Sequence, residues 1–414
     1  MRNRQLLYLF LSSFIILFTG MGLFPLLPLY ATEFGATPTT IGYYFALMYV
    51  ANTAGTMLTG HFARRLTRRG AFIVVGALAL PAVFFMGRVT AFWQLVLLTA
   101  VAWFSGGMNV ALANVLTGLH ADGKRRGASF SLMFLAMPLG SLFGGAIIGH
   151  LVDGYGFRAT FDVLTVIWLI MPLIGILGIR DPHTQPKAAK IKEASRATAQ
   201  QPKVVRPALG SRFLLLMAIT FLASLAIQAA RLGAPLSMQA LSFSASEIST
   251  ATAIGGLVTI PVALLLGALS DRLGRERFLS LSYLLAGLGA ATLIAASQLW
   301  HFWLAVTLMT VSLSTTGALA SALATDALPP EALTRGLPLI KAMTSIAAIV
   351  SFASAGYVLE TLGPGALFVV ATLLAGFATL GVRPLHAACG DMINVLRIPL
   401  FSLDCYGQAV SPNA

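Results

Sequence analysis

Long runs without charged residues are the feature that most restricts what this chain can fold into. A helix that crosses a ~30 Å hydrocarbon core needs about 20 mostly apolar residues, and a charged side chain at mid-depth is costly. Six uncharged runs precede Arg180, and the others follow Arg212. The longest, between Arg277 and Asp326, divides at the polar and aromatic segment 298–301, which suits a loop at the membrane surface. These runs predict an all-α membrane protein with twelve transmembrane helices.

The composition agrees with a membrane location. Hydrophobic residues make up 57% of the chain and charged residues 10%, whereas soluble domains carry roughly 25% charged residues. The net charge of +13 therefore indicates contact with a membrane surface rather than with nucleic acid. Of the 27 Lys and Arg residues, all but Arg88, Arg158 and Arg231 fall on one side of this topology. The positive-inside rule then places both termini in the cytoplasm and the chain in the plasma membrane, here a bacterial inner membrane.

Signs of catalysis or cofactor binding are lacking in the sequence. Both cysteines, Cys389 and Cys405, lie near the C-terminus, and the histidines show no metal-ligand spacing. No Walker-type phosphate loop is present. We therefore expect no enzyme activity, no metal and no cofactor, with a small-molecule substrate and the lipid bilayer as partners, and a monomer.

The two halves of the chain resemble each other at a constant offset of 207 residues. Residues that this shift superposes are called repeat partners. Identical repeat partners include Pro28 with Pro235, Gly60 with Gly267, Arg65 with Arg272, and Arg68 with Arg275, and the shift also pairs the acids Asp153 and Glu360. We predict two six-helix bundles related by pseudo-two-fold symmetry, at residues 1–180 and 213–383, joined by a basic cytoplasmic linker at 181–212 and followed by a tail at 384–414. Such repeats place a solute site between the halves and allow alternating access.

The segment from Gly267 to Arg275 resembles the signature loop of the major facilitator superfamily, Gly-x-Leu-x-Asp-Arg-x-Gly-Arg. The N-terminal copy at 60–68 keeps the glycine and two arginines but has Arg64 in place of the aspartate. The resemblance implies secondary transport of a small solute and a cytoplasmic gate. The gating residues that it implies are Gly60, Arg64, Arg65, Arg68, Gly267, Asp271, Arg272, Gly274 and Arg275.

The two copies of this loop predict an unequal gate. As the resemblance implies, Asp271 stabilises the state closed to the cytoplasm by facing the positive start of span five, the fifth predicted transmembrane helix between Arg126 and Asp153, near Gly127. Arg64 would present a cation to the matching helix start, near Gly336 and Arg335, which is unfavourable. The alternative is that both loops are solvated and only turn the chain.

A glycine-rich segment in span five gives a hint of function. Residues 140–145 resemble the antiporter signature Gly-Pro-x-x-Gly-Gly of drug-exporting members, with Ser141 in place of the proline. Small residues at this spacing also serve plain helix packing, so both interpretations stay open.

Polar residues in the predicted spans are the candidate solute contacts. The neutral ones are Asn52, Asn109 and Gln228, with Trp103 as an aromatic wall, and hydrogen bonding between helices is the alternative for each amide. Arg231 is the charged candidate, and its repeat partner is Phe24. Arg231 could attract an anionic solute, pair with an acid such as Glu360 as an outer gate, or extend to the interface.

The most direct interpretation is export of a lipophilic drug or metabolite, because the candidate contacts are mostly apolar or neutral. Uptake of a small organic solute is the nearest alternative, and Arg231 favours it where the solute is an anion. A non-transporting sensor on the same fold is a third hypothesis, which the altered loop at Arg64 supports and the intact loop at Asp271 opposes.

Overall fold

The computed structural model describes residues 2–120, 126–179, 210–328 and 330–386, which are helical with short connections and contain no strand. The predicted linker at 181–212 and tail at 384–414 fall almost wholly outside these residues. The helices are α1 Arg2–Leu23, α2 Leu27–Thr32, α3 Pro38–Leu66, α4 Arg68–Met86, α5 Phe92–His120, α6 Arg126–Leu177, α7 Ser211–Ala240, α8 Ala245–Leu273, α9 Arg275–Ile294, α10 Leu299–Ala327, α11 Pro330–Gly381 and α12 Arg383–His386.

Within the described ranges, eight helical stretches are long and apolar enough to cross a membrane. This confirms an all-helical, multi-pass membrane protein. Two of these stretches belong to α6 and α11, which are 52 residues long and break at Gly156 (φ 75°) and Gly363 (φ 82°). Because glycine has no Cβ, it adopts this left-handed backbone conformation without strain, so each long helix can reverse direction there. The two glycines at the breaks are repeat partners.

Contacts between helix ends define two ends of the molecule. At the basic end, Arg212 at the start of α7 binds Glu276 at the start of α9 at 3.0 Å, and Arg275 binds Asp326 at the end of α10 at 2.9 Å. Arg64 and Arg65 lie at the close of α3, and Arg69 at the start of α4 donates to the Gly175 carbonyl at 3.1 Å. The other end, which we call the sealed end, holds the breaks in α6 and α11 and the first turns of α3 and α8.

The buried apolar residues form two clusters. The larger one joins both halves through side chains such as Phe24, Phe45 and Phe352, whose rings lie 5.1–6.0 Å apart. The smaller one, with Phe213 and Tyr283, belongs to the C-terminal half alone. The halves therefore share one apolar core, in which α3 packs against α11.

Candidate functional site

A carboxylate on α6 caps the start of α8 at the sealed end. Asp153 accepts hydrogen bonds from the Ala245 N–H at 3.0 Å and from the Ser246 N–H at 2.8 Å. The first N–H groups of a helix lack partners within it and carry partial positive charge, so an anion there is stabilising. We call this contact, which joins the two halves of the chain, the Asp153 latch.

A second carboxylate makes the equivalent contact between α11 and α3. Glu360 accepts a hydrogen bond from the Thr39 N–H at 2.8 Å. Glu360 is the repeat partner of Asp153, and Thr39 is the repeat partner of Ser246, so acceptor and donor both obey the repeat. We call this contact the Glu360 latch. It has only one backbone donor because Pro38, which stands where the other latch has Ala245, carries no N–H.

Glycines allow the helices beneath each latch to approach closely. A Cβ on Gly149 of α6 would overlap the Ser249 hydroxyl and the Ala245 carbonyl oxygen of α8. A Cβ on Gly356 of α11 would overlap the Pro38 carbonyl oxygen of α3. Gly149 and Gly356 are again repeat partners. The same backbone contact thus lies under both latches, and we refer to latches and glycines together as the seal.

The partial antiporter signature lies in helix contacts. Gly140 and Gly144 face the backbone of α1 at Leu17 and Phe18, and Gly145 faces α8 at Ser249 and Ala253. The small residues of this segment therefore serve close packing on two sides.

A cavity of about 40 Å³ lies between the two halves. Its lining comes from α1, α6, α7, α8 and α10, and from the link after α1; its members include Met21, Phe24, Met137, Arg231, Met238 and Thr310. Arg231 places its guanidinium carbon 4.1 Å from the centre of the Phe24 ring and donates to the Gln228 side-chain oxygen at 2.8 Å. Gln228 in turn donates to the Tyr49 hydroxyl at 3.2 Å.

Two contacts join residues that are each other's repeat partners. The Arg231 guanidinium lies over the ring of its partner Phe24, and the side chains of the partners Gln239 and Thr32 are hydrogen-bonded at 2.6 Å. Equivalent residues of two related halves can touch each other only close to the axis that relates the halves. Arg231 therefore lies centrally, where the two halves meet.

The structure separates the five predicted solute contacts. Gln228 and Arg231 lie together, with Arg231 in the wall of the central cavity. Asn52 donates to the Trp103 carbonyl oxygen at 3.3 Å and so ties α3 to α5, as its alternative interpretation expected. Asn109 is fully buried, and its amide atoms have no hydrogen-bond partner among the described residues. Arg231 is not joined to Glu360, which instead caps α3.

The predicted gating residues lie at the basic end and are described only in part. Arg64 and Arg65 are exposed, Arg68 is half-buried, and a Cβ on Gly60 would find only Arg64, at 3.7 Å. Gly336 packs against Leu328 and Phe213, and the side chain of Arg335 lies outside the described part, so the approach of Arg64 to this helix start stays a prediction. The side chains of Asp271 and Arg272, and the surroundings of Gly127 and Gly267, lie outside the described part. The predicted role of Asp271 therefore stays a prediction.

The loop copies also share a backbone feature. Gly274 has φ 102°, and its repeat partner Thr67 has φ 64°. A β-branched residue in this region is strained, and the Thr67 hydroxyl compensates in part by accepting a hydrogen bond from the Gly70 N–H at 3.1 Å.

The fold, the two ends and the central cavity define a multi-pass membrane protein built like a solute transporter. The family model described as Major Facilitator Superfamily matches residues 9–238 and 216–388. The chain therefore belongs to the Major Facilitator Superfamily, as the signature loop indicated, and is a non-enzymatic member of a transporter family.

Relatives and solved structures agree with this family. The chain is 27% identical over 244 residues to the MFS-type transporter YuxJ of Bacillus subtilis, an alignment that covers 58% of this chain and 60% of YuxJ, less than two thirds of its length. It is 25% identical over 285 residues to the multidrug resistance protein MdtG of Serratia proteamaculans, covering 67% and 68% of the two chains.

Among solved structures, the nucleoside transporter NupG matches with a TM-score of 0.72 at 13% identity, over 92% of this chain and 98% of NupG. A D-xylose-proton symporter matches with a TM-score of 0.71 at 14% identity, over 92% and 95%. At this identity, the likeness concerns the fold alone.

The latches were not identified from the sequence, although the offset paired Asp153 with Glu360. The sequence does contain a signal for the latches, namely the capping residues at the helix starts that bind the two acids. Thr37 and Ser244 cap α3 and α8 and are also repeat partners, so these helix starts could have been recognised together with the acids.

Proposed function

We propose that this chain is a secondary transporter of the bacterial inner membrane that exports a lipophilic small molecule by alternating access between two six-helix halves. The observation that supports this most is the pairing of a seal at one end with a central cavity. A seal of few exposed hydrogen bonds and close glycine contacts can open without unfolding either half.

Twelve spans follow from the helices if each break is counted as a reversal. The eight apolar stretches become ten when α6 and α11 are divided at Gly156 and Gly363. The two other long helices, α3 and α8, each have 29 residues. Threonine, serine and glycine make up 8 of the 29 residues of α3 and 9 of the 29 residues of α8, which suits helices that face the other half. The equal register of both latches supports two-fold pseudosymmetry.

The described conformation corresponds to the state that is open toward the basic end. α3 and α8 meet the opposite half through their first turns, whereas Leu58 and Leu265, equivalent residues nearer the basic end, are 42% and 60% exposed. By the positive-inside rule the basic end is cytoplasmic. The conformation is then the inward-facing one, from which an exporter loads its substrate.

The chemistry of the cavity favours lipophilic solutes. Three methionines and a phenylalanine in its wall give adaptable apolar contacts. The relatives named multidrug resistance proteins and the partial antiporter segment support export. No Asp, Glu or Lys lines the cavity in the described part of the chain, so a buried carboxylate does not carry a coupled proton there.

Transport of dyes into inside-out vesicles tests this function. Nile red, ethidium and anilinonaphthalene sulfonate represent neutral, cationic and anionic lipophilic solutes. We expect vesicles containing the chain to accumulate at least one of them, and Gly149→Val, which destabilises the seal, to lower that accumulation strongly. Gly154→Val serves as the control, because a Cβ on Gly154 meets no atom within 4 Å. Dye binding without movement in any vesicle preparation would instead favour the sensor hypothesis.

A further inference from the structure

We infer that Arg231 binds the negatively charged group of the transported molecule, so that the substrate is an amphipathic organic anion. This inference rests on the proposed transport function and names its substrate class. Three independent features support it: the central position of Arg231, its lack of a compensating carboxylate, and the division of the cavity wall into charged and apolar parts.

The position of Arg231 puts a cation in the path between the halves. α7 begins at Ser211 at the basic end, so Arg231 lies about 30 Å along the helix, beneath the seal. Its contact with its own repeat partner, Phe24, places it near the axis that relates the halves. The residue that the N-terminal half has at this place is an uncharged aromatic, so the repeat does not account for the charge.

The charge of Arg231 is not balanced by any carboxylate that the structure describes. Except for Glu33, which is exposed at the end of α2, these acids are engaged elsewhere: Asp153 and Glu360 in the latches, Asp162 with Arg88 at 2.6 Å, Glu247 with the Ser244 N–H at 2.8 Å, Glu276 with Arg212, and Asp326 with Arg275. The described partners of Arg231 are the Gln228 amide oxygen and the face of Phe24, which are both neutral.

A guanidinium is always positively charged in proteins, so the missing carboxylate leaves the charge of Arg231 to be balanced by another anion. It has five N–H donors, and the structure shows one hydrogen bond from it, to Gln228. An anion bound in the cavity would use the remaining donors and neutralise the charge at once. The fork of donors suits a carboxylate, a sulfonate or a phosphonate, each of which can accept two parallel hydrogen bonds.

The geometry also positions the guanidinium for such a ligand. Gln228 holds Arg231 on one side and Tyr49 of α3 on the other, so the group is fixed between both halves. The Tyr49 ring lies 5.0 Å from Phe352 of α11. Binding at Arg231 is thereby connected to the α3–α11 contact that carries the Glu360 latch.

The remaining cavity wall and the cavity volume indicate the size and polarity of the rest of the ligand. Met21, Met137, Met238 and Val306 give apolar contacts to the part of the ligand beside the charged group, and the Thr310 hydroxyl donates to the Val306 carbonyl oxygen at 2.7 Å. A volume of about 40 Å³ has room for an anionic head group, whereas drug-sized ligands occupy roughly 300–1,000 Å³. The apolar body of the substrate must therefore extend toward the open, basic end.

A set of dansyl probes with one fluorophore and different charges tests the inference. Dansylglycine is an anion, dansylamide is neutral, and a dansyl derivative with a trimethylammonium group is a cation. Binding of each is measured by fluorescence on the full chain in lipid nanodiscs. We expect the wild type to bind dansylglycine at least about tenfold more tightly than dansylamide, a difference of about 1.4 kcal/mol, and the cation most weakly.

Variants then assign this preference to Arg231. Arg231→Gln should lower the ratio of dansylglycine to dansylamide affinity by at least about tenfold, and Arg231→Lys should keep part of it. Arg158→Gln is the matched control, because it removes one positive charge from the exposed surface at the sealed end and should leave the ratio unchanged. A wild-type ratio near one, or an unchanged ratio in Arg231→Gln, would overturn the inference; the wild-type series decides even where a variant does not fold.

Movement of the same probes into inside-out vesicles separates this inference from the proposed function. Binding with anion preference but without movement of any probe would overturn transport and support the anion site. Movement of dansylamide without preference for dansylglycine would support transport and overturn the anion site.

Discussion

The two latches of the seal share one design and differ in the number of backbone N–H donors that each carboxylate receives. Asp153 accepts two backbone N–H groups at the start of α8, whereas Glu360 accepts one at the start of α3. The glycines below them, Gly149 and Gly356, make the same kind of backbone contact. The difference therefore arises from one position, where Pro38 in the N-terminal half replaces the N–H that Ala245 supplies.

The helix caps extend this difference. Ser244 and Glu247 form a reciprocal capping box at the start of α8, with hydrogen bonds of 3.2 Å and 2.8 Å. At the start of α3, the Thr37 hydroxyl accepts a longer bond, from the Thr40 N–H at 3.4 Å, and the Thr40 hydroxyl donates to the Thr37 carbonyl oxygen at 2.9 Å. No described side chain therefore accepts from the Thr37 N–H as Glu247 does from the Ser244 N–H. The target of Asp153 is thus more rigid than the target of Glu360. We expect the α3–α11 side of the seal to open more readily than the α6–α8 side.

The largest effects are expected from filling the glycine contacts. Gly149→Val and Gly356→Val each place side-chain atoms against backbone that cannot move aside, and overpacking of this kind costs about 1–3 kcal/mol. The sealed state should lose population by roughly fivefold to 150-fold. Cysteine pairs across α6–α8 and across α3–α11 measure this as slower cross-linking, in a chain with Cys389→Ser and Cys405→Ser.

The controls for these variants are glycines in open space. A Cβ on Gly154 or on Gly365 meets nothing within 4 Å, so valine there should leave cross-linking unchanged. Because the glycine contacts are alike, both valine variants should act to a similar extent. A large effect at only one of them would locate the inequality of the seal in the packing and not in the latches.

The next effect in size comes from neutralising the acids. Asp153→Asn keeps an acceptor oxygen but loses the charge that faces the helix start, and the sealed population should fall by about twofold to fivefold. Glu360→Gln should have a smaller effect, because it acts on a single backbone N–H donor. Cross-linking with the same cysteine pairs compares them directly. Equal losses would mean that the number of backbone donors does not set latch strength.

Predictions from the sequence succeeded where a local pattern of residues reflects a physical requirement directly, such as the cost of placing charge in a membrane. Uncharged runs and basic loops indicated an all-helical membrane protein, and the loop ending at Arg275 indicated the superfamily, both of which are confirmed. The twelve spans and the two-fold symmetry remain predictions, although the paired latches support them. Arg231 was singled out because a charge in an apolar run is costly, and the structure places it in the cavity wall.

Other parts of the site depended on distances that a sequence does not contain. Asn52 was a candidate solute contact because it is a polar residue in a predicted span, yet its amide reaches the Trp103 carbonyl oxygen because Gly107 lets α5 approach α3. The repeat paired Asp153 with Glu360, but nothing local shows that a helix from the other half begins beside either of them. Contacts between halves are decided by the packing of distant segments.

An exchange at the first helical position sharpens the comparison. Pro38→Ala would give Glu360 a second N–H donor, and Ala245→Pro would remove one from Asp153. Proline is well tolerated at this position, so neither change should disturb the helices. Pro38→Ala should raise cross-linking across α3–α11, and Ala245→Pro should lower it across α6–α8. If both variants behave like the wild type, the second hydrogen bond of the Asp153 latch contributes nothing to the seal.

The smallest effect is expected from a substitution at the basic end of α3, the helix whose first turn binds Glu360. Arg64 lies at the basic end of α3, at the place where the other half has Asp271, and it is exposed in the sealed state. Arg64→Asp would let α3 face the start of α11 with an anion when the basic end closes, which favours the state opposed to the seal. Because solvent screens this site, we expect a change of about twofold or less, seen as slower cross-linking at the sealed end.

The side of the seal at which cross-linking slows is informative. Slower cross-linking across α3–α11 than across α6–α8 would show that the Glu360 latch yields first, whereas equal slowing at both would show that the halves move as rigid bodies and that the inequality of the latches does not direct the opening.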